Sequence, residues 1–307
     1  MRDRTVGVLY VVSAAVLFGT LGIFGKLAVA IDLSVTTLLA ARFVAASAII
    51  WAVLFLRGRD GSLPARTVAV EIGLGLAYGV MSIAYFESLA WLPAGVAALL
   101  VFTYPVQVTF ASALALEEPI TVPKLLALLA ATSGVALVVS IGDGGAVAPI
   151  GVGLVAVASV CYTIYTMGTR VMVGDVAPLV HIGYVFIGVT IAVFGYGLAT
   201  RSLAAPATPA SWALIAGITV VGTVVPLVFF TEGLARIEAS RASIVSTSEP
   251  LTTVILGVVL LGEVVTASIA IGAALILSGV VLTAPSAERV IRNRLVRIGV
   301  VDTRGKS

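Results

Sequence analysis

The densest group of polar side chains within an apolar stretch lies between Ser243 and Thr253. Ser246, Glu249 and Thr253 are spaced i, i+3 and i+7, so a helix places them on one face. Pro250 lacks a backbone N–H and loosens the turn before it, which frees carbonyl groups beside Glu249. Such groups are unfavourable at membrane depth unless they have a task, so this cluster predicts a solute-binding site.

A second proline-containing stretch, in the first half of the chain, matches the first. Residues 86–137 recur with substitutions as residues 231–282, and Pro105 aligns with the proline just described. Thr103 and Gln107 lie one turn apart beside it. Interrupted helices at corresponding positions of two halves are the best sequence indication of a midplane site in a secondary transporter. The alternative is that these hydroxyls bond their own backbone and serve packing.

Aromatic and hydroxyl side chains on three further stretches are spaced to face the same site. Each set falls on one helical face: Tyr78, Ser82 and Tyr85; Tyr162, Tyr165 and Thr166; and His181 with Tyr184. A buried tyrosine needs a partner for its hydroxyl, which a polar cavity supplies. The alternative, for a tyrosine near a helix end, is an interfacial anchor.

Two titratable or charged side chains within apolar stretches each have two interpretations. His181 is the single histidine, and it is either a proton carrier or, because it lies near the start of its stretch, a hydrogen-bonded polar residue. Arg42 needs a partner at membrane depth, either a structural carbonyl or carboxylate or the substrate. We predict structural or gating roles for Arg42, Pro105 and Pro250.

The elements that hold these residues must be membrane helices. Hydrophobic residues form 60% of the chain and charged residues 11%, with a mean hydropathy of +1.17. A soluble domain carries about 25% charged residues, so lipid is the solvent for most of this surface. One cysteine and one histidine exclude an internal disulfide and a metal site of several such ligands. We predict no cofactor and no nucleic-acid partner.

Apolar stretches of about 20 residues, separated by charges and prolines, predict an all-α integral membrane fold of ten transmembrane helices. Their predicted ranges are 6–29, 35–56, 67–91, 94–115, 122–141, 149–171, 178–199, 212–235, 240–261 and 265–284. Five helices fall in each of two repeats, residues 1–141 and 149–284. Residues 285–307 form a basic tail, which is either an anchor attracted to anionic lipid or a regulatory helix.

The positions of lysine and arginine predict the orientation. With the N-terminus in the cytoplasm, all 18 basic residues except Lys26, Arg42 and Arg201 lie on the cytoplasmic side. Both termini are then cytoplasmic. Because each repeat has an odd number of helices, the two repeats lie inverted in the membrane around a central cavity.

Several short motifs carry a likeness to a known family. They are Ala239-Ser240-Arg241-Ala242 before Glu249-Pro250, then Leu260-Leu261-Gly262-Glu263, then Tyr104-Pro105 before Glu118, and Arg42 in the second predicted helix. Over residues 1–284 the chain resembles the drug/metabolite transporter superfamily, in its ten-helix EamA-type branch. The resemblance implies two inverted repeats, with the fifth and tenth helices at the periphery, in a bacterial inner membrane. The chain lacks the first-helix glutamate of the four-helix multidrug members and the paired mid-membrane lysine and arginine expected for sugar-phosphate exchange.

The resemblance also implies export of small molecules from the cytoplasm by alternating access. Within the branch, the chain is most similar to the aromatic amino-acid exporters. Gln107, Glu249 and a site lined by tyrosines and hydroxyls suit a zwitterion, so we predict amino acids, aromatic or of a broad neutral range. The alternative is a drug or another small metabolite. The sequence has no motif of an intramembrane enzyme and no ring of like charges typical of a channel. A monomer and a homodimer both remain open.

Overall fold

Helices are the only regular elements in the part of the chain that the structure describes. A computed structural model describes residues 2–88, 90–91, 97, 100–139, 148–249, 251–252, 255–256, 259 and 267–282. The predicted tail and Pro250 lie outside these residues. We number the helices α1 (Arg2–Phe18), α2 (Leu21–Ala30), α3 (Val35–Leu56), α4 (Ala65–Ser88), α5 (Tyr104–Ala115), α6 (Val122–Val139), α7 (Pro149–Met172), α8 (Pro178–Thr200), α9 (Pro209–Thr219), α10 (Val225–Leu234), α11 (Ala239–Ser246) and α12 (Ala267–Leu282).

Six of the described helical segments are long and apolar enough to cross a bilayer. They are Asp3–Gly25, Val35–Leu56, Ala65–Ser88, Pro149–Met172, Pro178–Thr200 and Pro209–Leu234, with mean hydropathies from 1.6 to 2.4. A helix satisfies its own backbone groups, which lipid cannot do. The prediction of an all-helical, multi-pass membrane protein is confirmed. The exact count of ten stays a prediction, because the other predicted helices are described as shorter pieces.

The first predicted helix, 6–29, is not continuous. It ends at Phe18 and begins again at Leu21, with a turn between α1 and α2. A Cβ added at Gly19 would lie 2.6 Å from the Thr252 Cβ and 2.9 Å from the Glu249 carbonyl oxygen. The turn therefore brings backbone against backbone, which only glycine permits here. Sequence periodicity missed this break because its cause is a tertiary contact.

The two proline-containing helices are interrupted at equivalent positions. The Thr103 N–H donates to the Leu100 carbonyl at 3.2 Å, and the Ser248 N–H donates to the Val245 carbonyl at 3.1 Å. Both bonds span three residues instead of four, so each helix tightens just before its proline. The ranges 94–115 and 240–261 were predicted as single helices, whereas their long continuous parts are α5 and α11. A loosened turn was predicted before Pro250, whereas the described residues before it form a tightened turn.

The eighth predicted helix, 212–235, widens in its middle. Between α9 and α10 lies a π-helical turn, Val220–Val224, after which the Val225 N–H reaches back to the Val220 carbonyl. Pro226 follows and has no N–H for the ladder. The Thr223 hydroxyl donates to the Ile218 carbonyl at 2.8 Å, so a side chain satisfies one of the displaced backbone groups.

Glycines let α4 lie directly on α8. A Cβ at Gly75 would collide with the Val185 carbonyl, and one at Gly188 would lie 2.8 Å from the Gly75 Cα. Small residues of this kind are what permit close helix approach in lipid. Gly79 lies against Ala192 of α8 in the same way, and the contact fixes the side of α4 that faces away from α8.

The helices α6 and α12 pack mainly against each other, through glycines at equivalent positions of the two halves. A Cβ at Gly134 would lie 2.6 Å from the Gly272 carbonyl oxygen, and one at Gly279 would lie 2.9 Å from the Ala127 carbonyl oxygen. Many other side chains of the pair are exposed, including Leu126, Leu129 and Leu277, at the positions where lipid would lie. These two helices therefore sit beside the main bundle.

A carboxylate from the first half holds the start of α11. Glu118 accepts the Ala239 N–H at 2.9 Å, and the Ser240 N–H and hydroxyl at 3.2 and 2.6 Å. The N-terminal N–H groups of a helix have no partner within it, so an anion there is stabilising. Glu238, the residue before α11, provides no such cap with its side chain.

Glu238 instead binds cations. Its carboxylate lies 2.6 Å from the Lys124 Nζ and 3.5 Å from the Arg4 Nη2. Burial by itself would raise the pKa of Glu238, but Lys124, Arg241 and Arg4 together hold that pKa below its ordinary value. This group of charges lies at one end of the bundle and links α1, α6 and α11.

We predict that Gly75→Ala destabilises the protein and that Gly73→Ala does not. The added methyl at Gly75 pushes α4 and α8 apart, at about 1–3 kcal/mol for overpacking. Gly73 lies two residues away with nothing within 4 Å of an added Cβ, so alanine there is neutral or stabilising through helix propensity. Melting temperatures of the detergent-purified variants measure the difference. Equal values would show that the contact is not tight.

We also predict that Glu118→Gln lowers the melting temperature. Glutamine turns one acceptor oxygen into an N–H₂ group that faces the N–H groups of α11, and the charge is lost. The expected loss is about 0.5–2 kcal/mol, as for other helix caps. Glu117→Gln is the matched control, because this neighbouring carboxylate is exposed. A similar fall in both variants would contradict the capping role.

Candidate functional site

Four tyrosines from three helices lie in contact, and we call them the tyrosine cluster. Tyr104 at the start of α5 packs on Tyr162 of α7, with 4.5 Å between ring centroids. Tyr78 of α4 packs on Tyr165 of α7 at 4.7 Å, and the Tyr162 and Tyr165 rings are parallel at 6.3 Å. The rings shield the site from water while their hydroxyls can still form hydrogen bonds. The structure thus brings the predicted residues Tyr78 and Tyr162 together.

The helix α4 positions its part of the cluster with two different faces. Gly75 and Gly79 face the backbone of α8. Tyr78, Ser82 and Tyr85 follow a second face at i, i+4 and i+7. Tyr78 and Ser82 are buried, and Tyr85 is half-buried. The glycine contact therefore sets the rotation of α4, and this rotation directs Tyr78 toward α7.

A hydrogen-bond network joins the first half of the chain to the second. The Gln107 Nε2 donates to the Ser159 hydroxyl at 2.7 Å, and the Thr163 hydroxyl donates to the Gln107 Oε1 at 3.2 Å. The Thr103 and Ser159 hydroxyls are 3.2 Å apart. Both ends of the Gln107 amide are thus satisfied by α7. Thr103 and Gln107, predicted from their spacing, lie together beside the break that precedes Pro105.

The hydroxyls of α11 mostly bond their own helix. Ser243, Ser246, Thr247 and Ser248 each donate to a backbone carbonyl three or four residues earlier, at 2.6–3.0 Å. These four hydroxyls therefore donate as the alternative interpretation expects, in which they bond their own backbone and serve packing. Ser246 still lies beside the Tyr104 hydroxyl, which itself donates to the Ser243 carbonyl at 3.4 Å. The predicted residue Ser246 thus lies beside Tyr104, with its own hydroxyl hydrogen donated to the Ala242 carbonyl.

Glu249 lies next to the tyrosine cluster. Its carboxylate is close enough to interact electrostatically with the hydroxyls of Tyr85, Tyr104 and Tyr162. It also acts on Tyr78. The break after α11, in the ninth predicted helix, therefore places the Glu249 carboxylate near rings from α4, α5 and α7.

Arg42 of α3 approaches the cluster from another side. It is 2% exposed, and its Nε and Nη1 have no hydrogen-bond partner among the described residues. Its guanidinium carbon lies 4.3 Å from the centroid of the Phe43 ring, and the charge acts on the Tyr78 hydroxyl. The described residues provide no hydrogen-bond partner for these two nitrogens, so the structural bond and the substrate contact both stay predictions for Arg42.

His181 lies at the far end of the cluster. Its Nδ1 is 2.6 Å from the Glu71 Oε2, and its Nε2 is 3.1 Å from the Thr169 hydroxyl. The ring stacks on Tyr165 with centroids 6.5 Å apart. His181 is thus the hydrogen-bonded residue that one interpretation predicted, and it reaches the other site residues only through Tyr165. Thr166 is fully buried, and its hydroxyl has no partner in the described part of the chain.

Sequence reasoning did not single out Glu71, Thr169 or Ser159. Helical spacing contains the signal for two of them, Glu71 and Thr169. Glu71 precedes Tyr78 by seven residues on the same face of α4, and Thr169 follows Tyr162 by seven on α7. Extending each predicted face by two turns finds both residues.

Comparisons with known proteins agree with this fold. The model of the EamA-like transporter family matches the chain twice, at residues 5–140 and 149–284. An uncharacterised transporter of Archaeoglobus fulgidus is 39% identical over 72 residues, which is 24% of this chain and only 27% of the archaeal protein. A solved crystal structure superposes with a TM-score of 0.80 over 92% of this chain and 98% of the other, at 20% identity. That last likeness is one of fold alone.

We predict that Ser159→Ala weakens the contact between α5 and α7. The change removes the partner of the Gln107 amide and leaves its N–H₂ group without that acceptor, which costs about 1–3 kcal/mol. The melting temperature of the purified protein should fall. In the control Ser278→Ala, the lost hydroxyl is exposed and bonds only the Leu275 carbonyl of its own helix. Equal effects in the two variants would refute a special role for the network.

Proposed function

This chain belongs to the EamA-like transporter family of the drug/metabolite transporter superfamily, and we propose that it exports amino acids from the cytoplasm. Family membership makes it a multi-pass membrane transporter of small molecules. The proposal adds the substrate class, aromatic or broadly neutral amino acids, and the direction. It also places the protein in a bacterial inner membrane with both termini in the cytoplasm. One observation supports the substrate class most: the buried Arg42 guanidinium has two nitrogens, Nε and Nη1, without a hydrogen-bond partner among the described residues.

A zwitterion carries one negative and one positive group, which match the opposite charges of Arg42 and Glu249. The Arg42 guanidinium has buried N–H groups without a protein acceptor, and a carboxylate is the group that matches this planar donor best. Glu249 offers carboxylate oxygens to an ammonium group. A zwitterion carries no net charge, so it can meet both residues without adding a net charge to the buried site.

The tyrosine cluster suits the side chain of such a substrate. Its rings offer stacking surfaces, and its hydroxyls offer hydrogen bonds to a polar side chain. Gln107 is held by Ser159 and Thr163, so it fixes the wall between α5 and α7. We therefore assign substrate contact to Arg42 and Glu249, side-chain selection to the cluster, and wall-forming roles to Thr103, Gln107, Ser82, Tyr85, Thr166 and Ser246.

Alternating access follows from the two halves. The repeats meet at the network between α5 and α7 and at the Glu118 cap on α11. Rocking one half against the other opens the site to either side in turn. The interruption at Thr103 lies at the first contact, and the one at Thr247 ends the helix that the Glu118 cap begins. We propose that Pro105 and Pro250 make these points flexible by leaving the helical ladder incomplete there.

We predict that Arg42→Gln and Glu249→Gln each weaken amino-acid exchange in proteoliposomes. Loss of one charge-assisted hydrogen bond removes about 1.5–3 kcal/mol, or about 10- to 150-fold in apparent affinity. The assay measures counterflow of radiolabelled phenylalanine into vesicles preloaded with unlabelled phenylalanine. Arg66→Gln and Glu117→Gln are matched controls with exposed charges.

Competitors that lack one end of the zwitterion sharpen the test. Phenylpropionate, which keeps only the carboxylate, should lose its competition in Arg42→Gln, and phenethylamine should lose its competition in Glu249→Gln. Competition by apolar cations alone would favour the drug-exporter alternative. Absence of counterflow for every amino acid, together with no efflux from dipeptide-loaded cells, would overturn the proposal.

A further inference from the structure

A buried pair of titratable groups lies apart from the substrate contacts proposed above. The Glu71 and His181 side chains are fully buried, and Thr169, which bonds the other side of the imidazole, is buried too. The three residues come from α4, α8 and α7. Three helices thus converge on one carboxylate and one imidazole.

One carboxylate oxygen of the pair is available to bind a proton. The Glu71 Oε2 contacts the imidazole, while its Oε1 has no hydrogen-bond partner among the described residues. A buried carboxylate oxygen without a donor is unfavourable while it is charged, and a proton relieves this. The pair is electrically neutral with one shared proton and charged with none or two. Uptake and release of that proton therefore depend on how well water reaches the site.

The groups around the pair do not fix its charge. From α7, the Tyr165 hydroxyl acts on Glu71 and lies beside Thr169 and Thr231 without a well-aligned bond to either. The contribution of α10 is the Thr231 hydroxyl. These neighbours can relay or accept a hydrogen bond, and they carry no opposing charge.

The remaining polar and charged groups lie further along these helices and on α3. Arg42 of α3 acts on Tyr78. Tyr184 of α8 donates to the Gly61 carbonyl at 2.9 Å. Arg170 follows Thr169 in α7, and its buried Nε has no hydrogen-bond partner among the described residues.

The depth of the Glu71–His181 pair matches release of a proton to one face of the membrane. Glu71 lies six residues after the start of α4 and His181 three after the start of α8, or about 9 and 5 Å at the rise of a helix. Thr169 lies three residues before the end of α7. On the predicted orientation all three ends are cytoplasmic, so a proton released here enters the cytoplasm.

The tyrosine cluster connects the pair to the substrate contacts. From His181 the rings run through Tyr165 at 6.5 Å to Tyr78 at 4.7 Å, and Tyr78 is the ring on which Arg42 and Glu249 act. A change of charge at His181 therefore changes the electrostatic energy at the substrate contacts, because the groups between them are buried and weakly screened.

We infer that Glu71 and His181 form the binding site of a coupling proton, which enters as substrate leaves, so that the protein is a proton antiporter. The inference rests on the proposed export function for its direction. The proton binds at the carboxylate–imidazole pair while the site is open to the outside. It leaves to the cytoplasm after the halves rock, and the imidazole and carboxylate are regenerated unchanged.

The transport arm of the test uses the full-length protein in proteoliposomes with an acidic lumen. At one exchanged proton per substrate, protons leave the acidic lumen as phenylalanine enters, so a gradient of one pH unit should support accumulation of labelled phenylalanine inside the vesicles by about tenfold. Glu71→Gln and His181→Gln should abolish the gradient-driven accumulation, while equilibrium counterflow of phenylalanine persists and shows that the variants fold. Glu117→Gln should behave like the wild type. Unchanged gradient-driven accumulation in both variants would overturn the proton site.

A second arm needs no substrate. His181 is the single histidine of the chain, so isotope-labelled histidine in tag-free protein yields one imidazole NMR signal. That signal should change as the buffer is acidified, and Glu71→Gln should alter this change. A signal that ignores pH overturns the proton site even if amino acids are transported. A titrating signal without amino-acid counterflow supports the proton site and overturns only the proposed cargo.

Discussion

A peptide group that loses its helical partner inside lipid has to find another, because no water is present to replace it. This chain breaks its helices at four described places, and a threonine hydroxyl donates to a displaced carbonyl at each one. The bonds run from Thr20 to Leu17, Thr103 to Leu100, Thr223 to Ile218 and Thr247 to Ile244, at 2.6–2.8 Å. The breaks are therefore tolerated because local hydroxyls repair them, and the rest of the site is built around them.

This repair decides which polar groups remain for a solute. Hydroxyls such as Thr247 and Ser248 give their hydrogens to their own helix, so their cluster does not by itself make a donor-rich site. Arg42 keeps donor groups without an acceptor among the described residues, and Glu249 presents oxygens. Polar residues at membrane depth thus have two roles. Some donate hydrogen bonds to carbonyls of their own helix, and others lie at the tyrosine cluster. Composition does not distinguish the two.

Local patterns predict much of this molecule. The ranges of α3, α7 and α8 differ by at most one residue from the predictions, since charges and prolines end each apolar stretch. The equivalent breaks before Pro105 and Pro250 follow from the missing N–H and from the repeat.

The features that the sequence does not predict depend on partners distant in the chain. Gly19 interrupts the first helix because it meets Thr252, and Glu118 caps a helix 121 residues away. Period and propensity contain no information on such pairings. Glu71 is an intermediate case, because its spacing from Tyr78 places it on the right face although nothing local indicates its histidine partner.

Buried charges are weak contributors to stability, because removing an ion from water is rarely offset in full by its partner. Apolar residues at Glu71, His181 and Arg42 would pack as well, so their presence calls for a different reason. The tyrosines between them supply one. Their buried rings exclude water, which lowers the local screening between the charges at the two ends. Binding at one end then changes the free energy of binding at the other by an equal amount in each direction. An exchanger needs that reciprocity, and a row of phenylalanines would provide the packing without it.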